Sequence, residues 1–316
     1  MKAKGWLRTL SRRPNTTGGR KMSAARQIFL WVVTIVVGIW LIGPVLWIVD
    51  ASFQLDNELF SKPPHWLPQN PTLDNYKYII TRLPPPAYAF GEGSQMGHKA
   101  SGEALAAIPA MKNSFIVSIT TTVVCVVFSV LAAYVYSRLK FWGRNFSFTF
   151  IMLSRLIPAI AVAVPFFVII DRLHLLDTYW ALILIYLAFT LPFTIWFMTK
   201  YFDFMAPDLE DAAMVDGCTR LQCLIRVVIP VVAPGIAATA AFAFMNAYSE
   251  FLFAVLLTKT MASKTVPVVL SAAALNFDVS YALASTAVVL AIIPPILFAL
   301  VFRKYITSGL SMAFGK

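Results

Sequence analysis

Charge is scarce in this sequence. Only 13% of its 316 residues are charged and only 15 are acidic, against about 25% charged residues in soluble proteins. With 59% of the chain hydrophobic, soluble cores of this length could not hide the apolar surface behind so few charges. The excess must face something other than water, which excludes an ordinary soluble enzyme, a disordered tail protein and a secreted disulfide scaffold. Cysteine is scarcer still. Cys125, Cys218 and Cys223 are an odd number with no Cys-x-x-Cys and no neighbouring histidine, so they build neither a zinc site nor a disulfide framework and read as small buried hydrophobes. The three histidines, His65, His98 and His174, have no partner at ligand spacing, and no metal site is expected. Gly-x-Ser-x-Gly, His-Glu-x-x-His and paired intramembrane carboxylates are all missing, so no catalytic residue is assigned. The phosphate-cradling Gly-x4-Gly-Lys-[Ser/Thr] loop is missing too, so no nucleotide or other cofactor is expected in this chain.

What is present is a set of long apolar runs. A bilayer core takes about 20 apolar residues of helix, and six stretches fit: Ile28–Val49, Ser114–Tyr136, Phe146–Ile170, Tyr179–Thr199, Val231–Leu257 and Leu283–Phe302. The first is too long for a signal-peptide core, and Trp47-Ile48-Val49-Asp50 is a poor cleavage site, so it reads as a retained anchor. Lysine and arginine give the orientation. Eight lie in the tail over residues 1–27, and three lie in each of the loop after the second span, the loop after the fourth and the C-terminal tail 303–316, seventeen on one side. The other side has eight, Lys62, Lys77, Arg82, Lys99, Lys112, Arg172, Lys259 and Lys264, spread over longer loops. The positive-inside rule places both termini in the cytoplasm. The +11 net charge then needs no nucleic-acid partner, because no binding fold or aromatic interleaving accompanies the basic tail. The expected fold is all-α and integral to the membrane, with six transmembrane helices over residues 28–302, both termini inside and lipid as surroundings.

Two loops on the outside are long, 50–113 and 258–282. The first is rich in proline and glycine, from Pro63-Pro64 to Gly97. It has two open readings, a functional cap on the outer face or a tolerated insertion. Ala104–Ala110 is expected to form a short helix leading into the second span. Prolines interrupt the spans at Pro158, Pro165, Pro192, Pro234 and Pro294-Pro295, and each frees carbonyls that need a partner in protein or a cavity. Two charges fall inside spans, Arg155 in the third and Glu250 in the fifth, the latter beside Asn246 and Ser249. An intramembrane charge is a functional-site hypothesis by default. Asn246 and Glu250, four residues apart, would share one helix face, and Arg155, Asn246, Ser249 and Glu250 are the candidates for a solute path. The competing reading puts Glu250 at the interface and lets Arg155 snorkel or pair internally.

One cytoplasmic loop stands apart. Residues 200–230 hold five of the fifteen acids: Asp203, Asp208, Glu210, Asp211 and Asp216. Asp208 is expected to cap a first helix, Leu209–Asp216, which ends at Gly217 in the left-handed region. Thr219 and Gln222 form a capping box for a second helix, which Pro230 is expected to close. Leu209, Ala212, Ala213 and Val215 would present a small-residue face. Two capped helices joined at glycine make a rigid elbow, and its acidity argues against lying on anionic lipid.

The stretch Asp211-Ala212-Ala213, three residues, Gly217, nine residues, Val227-x-Ile229-Pro230 resembles the EAA motif of ABC-importer permeases, Glu-Ala-Ala-x3-Gly-x9-Ile-x-Leu-Pro. Asp211 stands where the motif has Glu, with Glu210 beside it. The resemblance extends over Ile28–Lys316 and is strongest to the smaller six-span subunit of maltose-importer-type carbohydrate permeases. It is supported by Pro71-Thr72-Leu73-Asp74-Asn75-Tyr76, Asn113-Ser114, Leu131-Ala132-Ala133-Tyr134, Leu176-Asp177-Thr178-Tyr179, Phe251-Leu252-Phe253 and the tail from Arg303 to Leu310. It implies a non-enzymatic transport subunit in a bacterial inner membrane. The elbow would be a coupling helix seated in a cytoplasmic ATPase, with Glu210, Asp211, Ala212, Ala213, Gly217 and Pro230 as coupling residues. The implied partners are a second homologous permease, two ATPase subunits that bind ATP and magnesium, and a periplasmic solute-binding protein toward which 259–282 would reach. A sugar or oligosaccharide is the implied cargo; glycerol phosphate or a polyol on the same permease class stays open, as does an ion-coupled secondary transporter.

Overall fold

The structure is a computed structural model that describes residues 24–63, 65–88, 102–275 and 280–314. Most of the basic tail, Pro64, the glycines at 91, 93 and 97, His98, Lys99 and Lys316 lie outside the described residues. All regular elements among the described residues are helices: α1 (Ala24–Ser52), α2 (Asp56–Leu59), α3 (Asp74–Thr81), α4 (Gly102–Leu105), α5 (Ala107–Arg138), α6 (Arg144–Leu153), α7 (Ala159–Arg172), α8 (Tyr179–Phe204), α9 (Asp208–Val215), α10 (Arg220–Cys223), α11 (Ile229–Tyr248), α12 (Leu252–Leu257), α13 (Val266–Leu275) and α14 (Tyr281–Phe314). Two compact units divide at Trp47, the first carrying most of α1 and the second the rest of the chain. α1 has no charge between Arg26 and Asp50.

Among the described residues, five helices are long and apolar enough to cross a membrane: α1, α5, α8, the run Arg220–Tyr248 that contains α11, and α14. A sixth crossing exists only if α6 and α7 count together, for they meet at 99° across a short break. The continuous third span expected over Phe146–Ile170 is therefore broken. The cause is local. Pro158 has no N–H to give and forces the residue before it away from helical geometry; Ile157 sits at φ −74°, ψ 120° and Pro158 at φ −60°, ψ 131°. The fifth span also ends early. α11 stops at Tyr248, and Ser249–Phe251 separates it from α12, so Val231–Leu257 is two helices rather than one.

In the second unit α5, α8 and α11 pack on one another and α14 packs on α11. Toward α9 the core is Val130, Tyr134, Met198, Phe202, Leu224, Val228 and Val232. Elsewhere in the bundle Val117, Leu182, Ile185, Tyr186, Phe253 and Leu257 form a second cluster. α11 reaches α8 closely at Gly235, where a methyl group would lie 2.5 Å from the Tyr201 ring.

The connection after α1 is not loose where it is described. Asn75 is fully buried, and its amide donates to the carbonyls of Ser52 (2.9 Å) and Gln54 (2.7 Å). Thr286 and the Ala282 N–H, both in α14, reach Ser52 O (3.2 Å) and Asp56 Oδ1 (3.0 Å). The short helix before the second span is Gly102–Leu105, and Ala107–Ala110 already belong to α5. The turn before α13 is held by two other side chains. Asn113 donates to Met261 O and Lys264 O, each at 3.0 Å. Asp177 accepts from the Lys259 N–H (2.8 Å), the Thr260 N–H (3.0 Å), the Thr260 hydroxyl (2.7 Å) and the Ser263 hydroxyl.

Candidate functional site

The acidic segment folds as an elbow. α9 begins after Pro207, whose carbonyl accepts from Glu210 N (2.8 Å) and Asp211 N (3.1 Å). Pro207, at φ −64°, occupies the cap position, and Asp208 is already helical with no capping bond. This corrects the expected Asp208 cap: proline's fixed φ pre-sets the first turn, and the carboxylates of Asp208, Glu210 and Asp211 follow within it, where the helix dipole favours them. The other end follows the expectation. Gly217 adopts φ +89°, its N–H donates to Met214 O (3.1 Å) and the Cys218 N–H donates to Ala213 O (3.0 Å). That pair of bonds is the Schellman arrangement, which needs a residue free to sit in the left-handed region.

Thr219 and Gln222 then form the expected capping box, with Thr219 N to Gln222 Oε1 at 2.9 Å and Gln222 N to Thr219 Oγ1 at 3.4 Å. Pro230 does not close the second helix. α10 passes through a wider π turn, Leu224–Val228, straight into α11, with Pro230 in the first turn of α11. A proline needs relief from the carbonyl one turn back, and a π turn supplies that room without ending the helix. Leu209, Asp211, Ala212 and Val215 are exposed, Val215 at 87%; Ala213 is half-buried against the bundle. Glu210 alone among the five acids of the segment is buried, and it pairs with Arg138.

A cavity of about 370 Å³ lies at the two helix breaks. The α6–α7 bend contributes Arg155, Ile157, Pro158 and Ala159; α8 contributes Tyr186, Phe189 and Thr190; the end of α11 and the start of α12 contribute Asn246, Ala247, Glu250 and Phe253. The Arg155 guanidinium lies over the Phe193 ring at 5.1 Å, a favourable cation–π placement. Glu250 is held by the N–H groups of Phe253 (2.9 Å) and Ala254 (3.1 Å). Asn246 and Glu250 do not share a helix face as expected, because α11 ends between them; the chain break brings both to the cavity. Ser249 does not line it, and its hydroxyl turns back to Met245 O (2.7 Å).

Residues 125–312 match the family described as binding-protein-dependent transport system inner membrane component. The chain belongs to this family. It is 33% identical over 268 residues, 85% of its length and 86% of the relative's, to the sulfoquinovosyl glycerol transport system permease protein SmoH of Agrobacterium fabrum. It is 32% identical over 289 residues, 90% of its length and 95% of the relative's, to the trehalose/maltose transport system permease protein MalG of Thermococcus litoralis. A bacterial ABC transporter involved in the import of the acidic polysaccharide alginate shares the fold, with a TM-score of 0.71 at 21% identity, over 90% of this chain and 98% of that one.

As an inner-membrane permease subunit, the chain is a non-catalytic part of an importer, and the ion-gradient reading is set aside. The permease carries its candidate residues in two places, the elbow and the cavity. Sequence reasoning missed Tyr186, Phe189, Thr190 and Phe253 at the cavity and Arg138 at the elbow. Each reads as an ordinary span or loop residue, and only the fold brings them there. Among the described residues no cluster of three metal-ligating side chains occurs.

Proposed function

We propose that this permease subunit carries a sugar or oligosaccharide from periplasm to cytoplasm by alternating access, driven by ATP hydrolysis in partner chains. The observation that carries the coupling half is the elbow: a helix stopped by a Schellman turn and followed at once by a capping box is stiff enough to pass on displacement as a body. Its exposed face, Leu209, Asp211, Ala212 and Val215, offers a carboxylate among small and apolar side chains to a cytoplasmic ATPase. Gly217 sets the turn and Pro230 sits in the helix that leads on into the membrane. Two ATPase copies holding ATP and magnesium, a second homologous permease and a periplasmic solute-binding protein complete the importer in this reading. Both termini face the cytoplasm.

The cavity supports the cargo half. Sugars offer hydroxyls for hydrogen bonds and apolar ring faces for aromatic contact. Arg155, Thr190, Asn246 and Glu250 supply polar groups there, and Phe189 and Phe253, 5.0 Å apart, supply the rings. The relatives named for sulfoquinovosyl glycerol and trehalose/maltose transport agree with a saccharide. A solute with an acidic group, such as glycerol phosphate, is the second reading, favoured by the Arg155 guanidinium at the cavity wall.

Reconstitution in proteoliposomes with the partner chains tests the elbow. Gly217→Leu, strained at φ +89°, and Asp211→Lys are expected to lower solute uptake by roughly tenfold or more while ATP hydrolysis continues, a loss within the usual range of coupling free energies. Coupled uptake that survives both changes refutes the assignment. Ligand-induced thermal shifts of the solute-binding protein identify the cargo.

A further inference from the structure

One carboxylate of the elbow faces inward. Glu210 is 4% exposed, although Leu209 and Asp211 on either side of it face out. Its carboxylate accepts from Nε–H of Arg138, the last residue of α5. The same guanidinium goes further. Its Nη2 donates to the carbonyls of Phe202 (3.1 Å) and Met205 (3.0 Å) at the C-terminal end of α8. Its Nη1 donates to the Ser137 hydroxyl (3.0 Å), which donates in turn to Asp203 (2.8 Å). One side chain therefore joins the end of α5, the end of α8 and the first turn of α9.

The chemistry suits arginine and no other cation. Carbonyls in the last turn of a helix lack the regular i+4 partner and carry partial negative charge; Phe202 O also accepts from the Met205 N–H (3.1 Å) and has a lone pair left for the guanidinium. A planar guanidinium presents five donors in fixed directions, so it can meet these carbonyls and a carboxylate together, whereas an ammonium is a point charge on a flexible stem. Stability alone is a poor account of the pair. Removing two charges from water largely offsets their attraction, and apolar replacements for such pairs are often as stable. Glu210 also has a side-chain hydrogen bond with Tyr134 of α5, while Ala213 and Cys218 meet the Tyr134–Phe202–Leu224 cluster through apolar, non-directional contacts. Those apolar contacts permit sliding; the guanidinium fork does not.

We propose that Arg138 is a positioning residue for energy coupling: its bridge from Glu210 to the ends of α5 and α8 makes the elbow and those two helices one lever. Displacement of α9 is then passed to the spans instead of being absorbed in the short joint at residues 205–207. This rests on the proposed seating of α9 against an ATPase.

The test uses the complete reconstituted importer and reads solute taken up per ATP hydrolysed. R138M/E210M removes both charges together and so leaves no buried charge unpaired. It is expected to assemble and hydrolyse ATP while uptake per ATP falls roughly tenfold, within the range of measured coupling energies. Parental uptake per ATP in this variant would show a purely structural pair and overturn the proposal. If R138M/E210M does not assemble, E210Q, which keeps the shape and an acceptor oxygen, is read by the same ratio; a fall supports the lever and an unchanged ratio overturns it. R138K keeps the charge and loses the fork, so full coupling in R138K also overturns it. G217L runs alongside. If G217L leaves uptake per ATP unchanged, the elbow reading itself has failed; if G217L uncouples and the pair variants do not, only the lever has failed.

Discussion

Gly235 shows how one missing side chain sets the spacing of two helices. It lies in α11 against the buried Tyr201 of α8, and an added methyl would overlap three atoms of that ring, the nearest at 2.5 Å. Tyr201 is itself packed among Phe197, Phe202 and Val232, so the ring has nowhere to go. Gly235→Ala is expected to destabilise the subunit by about 1–3 kcal/mol, the usual effect of overpacking a core, read as a lower thermal aggregation temperature in detergent. An unchanged temperature would mean that α8 and α11 yield freely there. The glycine is visible in the sequence, but a glycine within a helical run does not announce which neighbour approaches it. Gly217 is the opposite case, because its place just beyond a helix named its left-handed role in advance.

At the scale of elements, polar side chains hold the connections between helices. The stretches that carried the family resemblance include Asn75, Asn113 and Asp177, and each of these grips backbone from a distant segment. Asp177 clamps the turn at 259–263 to the start of α8. Burial pushes its carboxyl up, but hydrogen bonds from Ser263, Thr260 and the Lys259 N–H outweigh that and hold it at about 2. A carboxylate held below its unfolded value contributes stability above that value, about 3.9, and loses it as the pH falls through the folded value. A spin label at Met261 is therefore expected to stay immobile from pH 8 down to about 4 and to gain mobility as the pH approaches 2. In Asp177→Asn it should be mobile throughout; equal immobility in that variant would show that Asn113 alone holds the turn. The sequence motif pointed to these residues, and the reason for them, 80 or more residues away along the chain in the Asp177 case, became visible only when the segments met.

For the whole molecule, the orientation argument remains a counting argument on lysine and arginine, seventeen against eight. It predicts that a fluorescent protein fused after Lys316 glows, that alkaline phosphatase fused there is inactive, and that phosphatase inserted near Gly97 is active. The reverse pattern would invert the subunit and move the elbow out of reach of any cytoplasmic ATPase. The class of protein, the apolar runs and the elbow were legible because each depends on residues close together in the chain: a span needs about 20 apolar residues in a row, and a cap or a left-handed glycine is specified within one helical turn. Where spans break was half legible. The prolines were noted, but whether a proline bends a helix by 99°, as at Pro158, or is absorbed in a π turn, as at Pro230, depends on what can satisfy the freed carbonyls. The cavity joining Arg155, Asn246 and Glu250, and the inward turn of Glu210 onto Arg138 from 72 residues away, were decided by tertiary structure alone. Contacts across that distance in sequence leave no periodicity behind, and they exist only because helix packing brings the ends of α5, α8 and α9 to one point.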